Sequence, residues 1–163
     1  NWAGAVGFSP VNLVHSGYFD HRAKAHQDMI DSGNAAIWNM LEVNPRTRLL
    51  AVGEEPEVLS FPCIAQTYND MSGSGGDVHL VKTLAQFKEY LDWAKIDFIY
   101  VQAGFVEPGS RVWDILCYML EDGSLTDLRT EHGNAIGTVD LDGEPSEDAR
   151  KNLEYFKEAY YAK

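Results

Sequence analysis

Apolar positions in this chain change period several times, and each change marks an element. Over residues 22–43, Met29, Ile30, Ala36, Ile37, Met40 and Leu41 recur at helical spacing. Asp20 stands where a cap belongs, and Gly33 with Asn34 weakens the middle of that helix. Asn44-Pro45 ends it, because a proline biases the residue before it away from helical backbone. Leu49-Leu-Ala-Val52 follows as a continuous apolar run, the pattern of a strand buried on both faces of a parallel sheet. Residues 56–60 make one helical turn or a loop, and 63–67 form a second strand, with Cys63 inside it. Residues 69–77 hold Ser72-Gly-Ser-Gly-Gly76 and must be a loop. A helix over 83–95 then carries Leu84, Phe87, Leu91 and Ala94 on one face, opened by Thr83 and Gln86 as a capping box. A third strand is expected over 98–101.

The remaining third of the chain reads as helix, hairpin, helix. Pro108-Gly-Ser110 starts a helix that turns Val112, Ile115, Leu116, Met119 and Leu120 inward, with Gly123 as its C-terminal cap. Strands over 125–131 and 135–141 flank His132-Gly-Asn134, an antiparallel hairpin. Residues 143–145 break the chain, and Ser146 caps a last helix with the stripe Ala149, Leu153, Phe156 and Tyr160. Strand, strand, helix, strand at this spacing predicts an α/β domain. Its central sheet is expected to be mostly parallel, with helices on both faces in Rossmann-like order. An antiparallel hairpin and a C-terminal helix complete it. The expected organisation is one domain over 1–163: an N-terminal arm and helix (1–45), an α/β core (46–141) and the last helix (142–163).

Composition narrows the classes of partner. A chain of 163 residues buries about 70% of its extended surface on folding, enough for a real core. Apolar content of 45% and aromatic content of 12% exclude a disordered chain. Twenty-five acids against 13 bases leave a formal charge of −12, which repels nucleic acid and anionic lipid. Two cysteines, Cys63 and Cys117, make no disulfide framework. They read as separate buried thiols, the alternative being a single bridge in an oxidising compartment. No run of 18 apolar residues is present. The start, Asn1-Trp-Ala-Gly-Ala-Val-Gly-Phe8, has neither an initiator Met nor a basic signal-peptide region. It reads as a mature or excised piece.

Candidate chemistry is sparse. Gly73-Ser-Gly-Gly-Asp77-Val78 follows a strand and precedes a helix, but Val78 occupies the third glycine position of a dinucleotide fingerprint. His21 and His26, five residues apart, do not face each other on a helix as a metal pair would. There is no GxSxG, and Ser60 has no elbow glycines. No catalytic residue, metal site or cofactor is therefore expected. The suggestive positions are those at the C-terminal ends of the parallel strands, where open α/β sheets bind ligands. They are Glu54 (with Glu55), Asn69, Asp70 and Gln102.

The order of Leu49-Leu-Ala-Val-Gly-Glu54, Phe61-Pro-Cys-Ile-Ala-Gln-Thr67, Phe87-Lys-Glu-Tyr-Leu91 and Ile96-Asp-Phe-Ile-Tyr-Val101 resembles a known pattern. It is similar to the soluble C-terminal domain of polytopic, lipid-linked-sugar glycosyltransferases of the GT-C type. Arg129-Thr-Glu-His-Gly-Asn-Ala-Ile136 matches that family's closing hairpin, and the likeness spans residues 46–141. Where the family often has an Arg and an aromatic after Gly-Glu, this chain has Glu55, Pro56 and Glu57, so no role carries over there. The resemblance implies a non-catalytic domain on the extracytoplasmic face of a membrane. Its catalytic acid would lie in a membrane-embedded part of the same polypeptide, and its ligand would be an acceptor, a carbohydrate or a lipid-linked sugar. Two alternatives stand beside it. One is a free-standing small α/β enzyme or binding protein for a phosphorylated or nucleotide-like ligand, with its site at Glu54, Asp70, the 73–76 loop and Gln102. The other is an interaction module using the aromatic residues of 155–161.

Overall fold

The computed structural model describes Lys24, Gln27 and residues 35–42, 46–53, 61, 63–68 and 83–161. In order these form α1 (Ala35–Glu42), β1 (Arg48–Val52), β2 (Ile64–Thr67), α2 (Leu84–Trp93), β3 (Phe98–Val101), α3 (Arg111–Asp122), β4 (Leu125–Glu131), β5 (Asn134–Val139) and α4 (Glu147–Tyr161). The five strands make one open mixed sheet in the order β2-β1-β3-β5-β4. Its centre is parallel: β1 runs with β2 (Leu49 opposite Ala65) and with β3 (Leu50 opposite Ile99). β5 runs antiparallel to β3 and β4 antiparallel to β5. The chain is thus α/β, as its pattern predicts. No helix among the described residues is long and apolar enough to cross a membrane.

β1 explains this arrangement. Leu49, Leu50 and Ala51 are fully buried and Val52 nearly so, which only a strand with neighbours on both edges and cover on both sides achieves. Successive side chains of a strand point to opposite sides. Leu50 and Val52 accordingly join Ile99, Val101, Phe87, Leu91, Leu116, Met119, Leu120 and Phe156, drawn from β3, α2, α3 and α4. Leu49 and Ala51 join Ile37, Trp38, Leu41, Phe61, Tyr100 and Ile136 instead. Each fully buried Leu or Phe in these clusters contributes about 1.5–3 kcal/mol. Trp113 stacks on Phe156 at 5.0 Å and so ties α3 to α4. The stripe of α4 is thereby a packing face: Ala149 and Phe156 are buried and Leu153 packs beside them.

Local signals act where the sequence puts them. Thr83 Oγ1 accepts from Gln86 N while Gln86 Oε1 accepts from Thr83 N, a complete capping box. Ser110 caps α3 through Trp113 N, and Gly123 closes it in the left-handed region at φ 84°. Three expectations need correction. Cys63 precedes β2 rather than lying in it. Asn134 is the first residue of β5, not part of the turn, and β5 stops at Val139. The turn has two residues because His132 (φ 49°) and Gly133 (φ 82°) both take positive φ, as a tight hairpin turn matched to strand twist requires. The expected helix over 22–43 is seen as α1 and at Lys24 and Gln27. Its cap, its weak point at Gly33 and Asn34, and the loops at 56–60 and 69–77 lie outside the described residues.

The passage from α3 into the hairpin is locked twice. Backbone meets backbone where Gly143 lies against Gly123: a Cβ on Gly143 would stand 2.0 Å from the Gly123 carbonyl oxygen. Beside it, Asp122 accepts from Ser124 N (2.9 Å), Ser124 Oγ (2.6 Å) and Lys88 Nζ (2.5 Å), joining α3 to α2. Burial pushes the Asp122 carboxyl up, but the hydrogen bonds from Lys88 and Ser124 and the Lys88 charge outweigh it and hold it below its ordinary value. At the outer edge, β4 bulges between Thr126 and Arg129, with Asp127 at φ 49°. A bulge there interrupts the ladder that a second chain would need in order to pair.

Two outcomes follow for stability. Gly143→Ala should cost about 1–3 kcal/mol, read as a lower urea midpoint at unchanged slope, because backbone must move to admit the methyl group. A carboxyl with a depressed folded-state pKa stabilises above its unfolded value and loses that contribution as pH falls through the folded value. Asp122→Asn should therefore lower stability at neutral pH, and its gap from the parent should narrow below about pH 3.8.

Candidate functional site

Parallel order carries the ends of β2, β1 and β3 to one edge of the sheet. Each ladder runs one residue past its strand: Tyr68 N donates to Ala51 O (2.7 Å) and Gln102 N to Val52 O (2.9 Å). Gly53 sits between them because nothing larger fits; a Cβ there would stand 2.5 Å from Gln102 Oε1 and 2.7 Å from Gln102 Cβ. This gives the glycine of the Val-Gly-Glu run a physical role. It lets the half-buried Gln102 side chain cross the end of β1.

The hairpin turn reaches the same edge. β5 is antiparallel to β3 with Ala135 opposite Val101, so the residues just before Ala135 lie beyond the end of β3. Asn134 is buried, and its Oδ1 accepts from Ala103 N at 2.8 Å. A Cβ on Gly133 would meet Ala103 Cβ at 3.2 Å, so the turn and the β3–α3 loop touch. That loop is fastened along its length. Phe105 N donates to Gln102 O (3.2 Å), Val106 is buried in the core, Ser110 N donates to Glu107 O (3.0 Å), and Ser110 caps α3. Between the anchors the Phe105 side chain is 44% exposed.

Tyr68 and Arg111 complete the described part of the edge. The Tyr68 ring packs edge-on against Phe87 at 6.3 Å. Burial pushes its phenol up, and the nearby Arg111 guanidinium, at the start of α3, works against that shift. The groups gathered here are an amide, a phenol, a guanidinium, an imidazole, an exposed phenyl ring and the carboxylates of Glu107 and Glu131. The described acids include some at the opposite edge, around a shallow cleft of about 260 Å³. There Asp92 pairs with Lys95 (2.9 Å) and Asp97 accepts from Arg48 N (2.9 Å). Both cysteines are free, and burial raises each thiol to about 11, with Asp97 adding to the effect at Cys63. Such thiols stay protonated at neutral pH and are weak nucleophiles.

Of the residues singled out in the sequence, Gln102 stands at this edge, while Glu54, Asn69, Asp70 and the 72–76 loop lie outside the described residues. Asn134, Phe105, Tyr68 and Arg111 were not singled out. His132-Gly-Asn134 was legible as a turn, but its arrival beside Gln102 depends on β5 pairing with β3, which no local pattern encodes. Compared with family models, curated proteins and solved structures, the chain matches none.

Gly53→Ala should displace Gln102 and cost about 1–3 kcal/mol. The amide resonances of Gln102 and Ala103 should shift with it, while those of α4 stay in place.

Proposed function

We propose that this chain is a non-catalytic extracytoplasmic domain of a membrane glycosyltransferase-like protein, where it assists recognition of an acceptor or carbohydrate. The observation that carries this reading is the make-up of the edge beyond β3. Gln102, His132, Arg111, Glu107 and Glu131 bring hydrogen-bonding donors and acceptors of both signs and Phe105 an exposed ring, a combination suited to a hydroxyl-rich ligand without net charge. The sequence likeness over residues 46–141 supplies the membrane context. In this reading the bond-making step belongs to the membrane-embedded part of the same polypeptide, which is also the domain's partner. The finer architecture belongs to the proposal too. The β2-β1-β3 order and the division of sheet residues between two clusters support Rossmann-like order with helices on both faces.

One observation favours a second reading. Arg111 opens α3 just after the Ser110 cap, where a helix N-terminus and a cation together suit a phosphate. The alternative is a small α/β enzyme or binding protein for a phosphorylated or nucleotide-like ligand.

Thermal melts separate the two, since a ligand that binds only the native state raises the melting temperature. Methyl glycosides and short oligosaccharides should raise it, and nucleotides and sugar phosphates should not. The reverse pattern would establish the second reading. The reading frame upstream of Asn1 should encode several apolar spans; a short frame without them removes the membrane part of the proposal.

A further inference from the structure

We infer that the β3–α3 loop presents Phe105 as a stacking platform for the apolar face of a pyranose ring, and that Asn134 holds that platform in place. This rests on the carbohydrate reading above and names the subsite within it. The argument begins with exposure. Phe105 is 44% exposed although its neighbour Val106 is only 4% exposed. A ring in solvent is commonplace on a mobile loop; here the backbone on both sides is tied down. Gln102 O accepts from Phe105 N, Asn134 Oδ1 accepts from Ala103 N, and Val106 is sunk in the main core. Ordering a side chain costs less binding free energy when its backbone is already ordered.

The backbone before the ring is a turn. Gly104 precedes Phe105 at φ 83°, and a Cβ built on it would meet nothing within 4 Å. Glycine at this position gives the turn its positive φ at no steric cost. Polar residues stand in the same loop and in the turn that touches it: Gln102 at the base of the loop and Glu107 beyond the ring, and Glu131 and the exposed His132 at the turn that Asn134 joins to Ala103. A pyranose presents C–H groups on one face and hydroxyls around its rim, so a ring with hydrogen-bonding groups beside it matches both parts.

Asn134 acts as a positioning residue. Its side chain is buried at 7% exposure, and its bond to Ala103 N joins two segments 31 residues apart in sequence. Without the acceptor, the Ala103 N–H loses its protein partner and the loop loses its link to the hairpin.

The test uses the 163-residue chain, with amide chemical shifts followed during titration with the methyl glycosides of glucose, galactose and mannose. Shifts should concentrate at residues 102–106 and 132–134. Phe105→Ala should weaken binding by about five- to tenfold without moving the melting temperature, and Phe105→Trp should retain it. Asn134→Ala should speed exchange of the Ala103 amide by at least about tenfold and weaken binding, and Asn134→Asp, which keeps the oxygen acceptor, should restore both. Glycoside binding that maps elsewhere and ignores Phe105→Ala would overturn this inference while leaving the carbohydrate reading intact. Unchanged Ala103 exchange in Asn134→Ala would overturn the positioning role. If none of the glycosides binds, the platform and the carbohydrate reading fall together, while the exchange measurement still decides what Asn134 does for the loop.

Discussion

A strand that must be buried on every side organises this molecule. Leu49 and Leu50 expose nothing to solvent, although they point in opposite directions from the same strand. Hydrogen-bonded neighbours are needed along both edges of β1, and apolar partners are needed above and below it. β2 and β3 supply the edges, both parallel to β1. Parallel pairing in turn demands long returns, and α2 is one of them. The same demand sends every parallel strand out at one end. Tyr68, Gly53 and Gln102 meet there as a consequence of core packing, before any ligand is considered.

The antiparallel half of the sheet answers a different constraint. α3 delivers the chain to the far side of β3, and β5 pairs with β3 there, so the backbone groups along that edge of β3 are hydrogen-bonded. A two-residue turn between β4 and β5 then falls beyond the end of β3 by register alone. Asn134 converts that coincidence into a bond, since its side chain replaces the ladder partner that Ala103 N–H would otherwise lack. Local rigidity at the edge is therefore shared between segments that are distant in sequence.

Helices and caps were legible because their causes are local. Thr83 with Gln86, Ser110 with Trp113 N, and Gly123 at positive φ each act within four residues. The apolar run at β1 was equally plain, because burial on both sides leaves no alternation to obscure. What could not be read was register. His132-Gly-Asn134 announces a turn, but whether it has two residues or three depends on Asn134 joining β5 to reach Ala103. The apolar pattern starts the second strand at Cys63, one residue before the ladder begins at Ile64, because apolar pattern alone does not fix where a ladder starts. At the candidate edge the legible residue was Gln102, directly after a strand; Phe105 carries no pattern, since its exposure is set by the burial of Val106 beside it.

Charge adds a last step to this picture. A chain with 25 acids and 13 bases would be expected to line any cleft with carboxylates. Where carboxylates do gather, as at the opposite edge, Asp92 and Asp97 are engaged by Lys95 and by the Arg48 backbone. At the C-terminal edge the described side chains mix signs: Glu107 and Glu131 stand in the same loop and hairpin as Arg111, His132, Gln102 and Phe105. An uncharged polar ligand pays little desolvation on entering such a surface, and a guanidinium at its border strengthens hydrogen bonds to hydroxyl oxygens. The two ends of the sheet thus differ in how their acids are engaged. One exposed ion pair and one backbone hydrogen bond hold Asp92 and Asp97, while the other end gathers donors, acceptors and an exposed ring around one anchored loop.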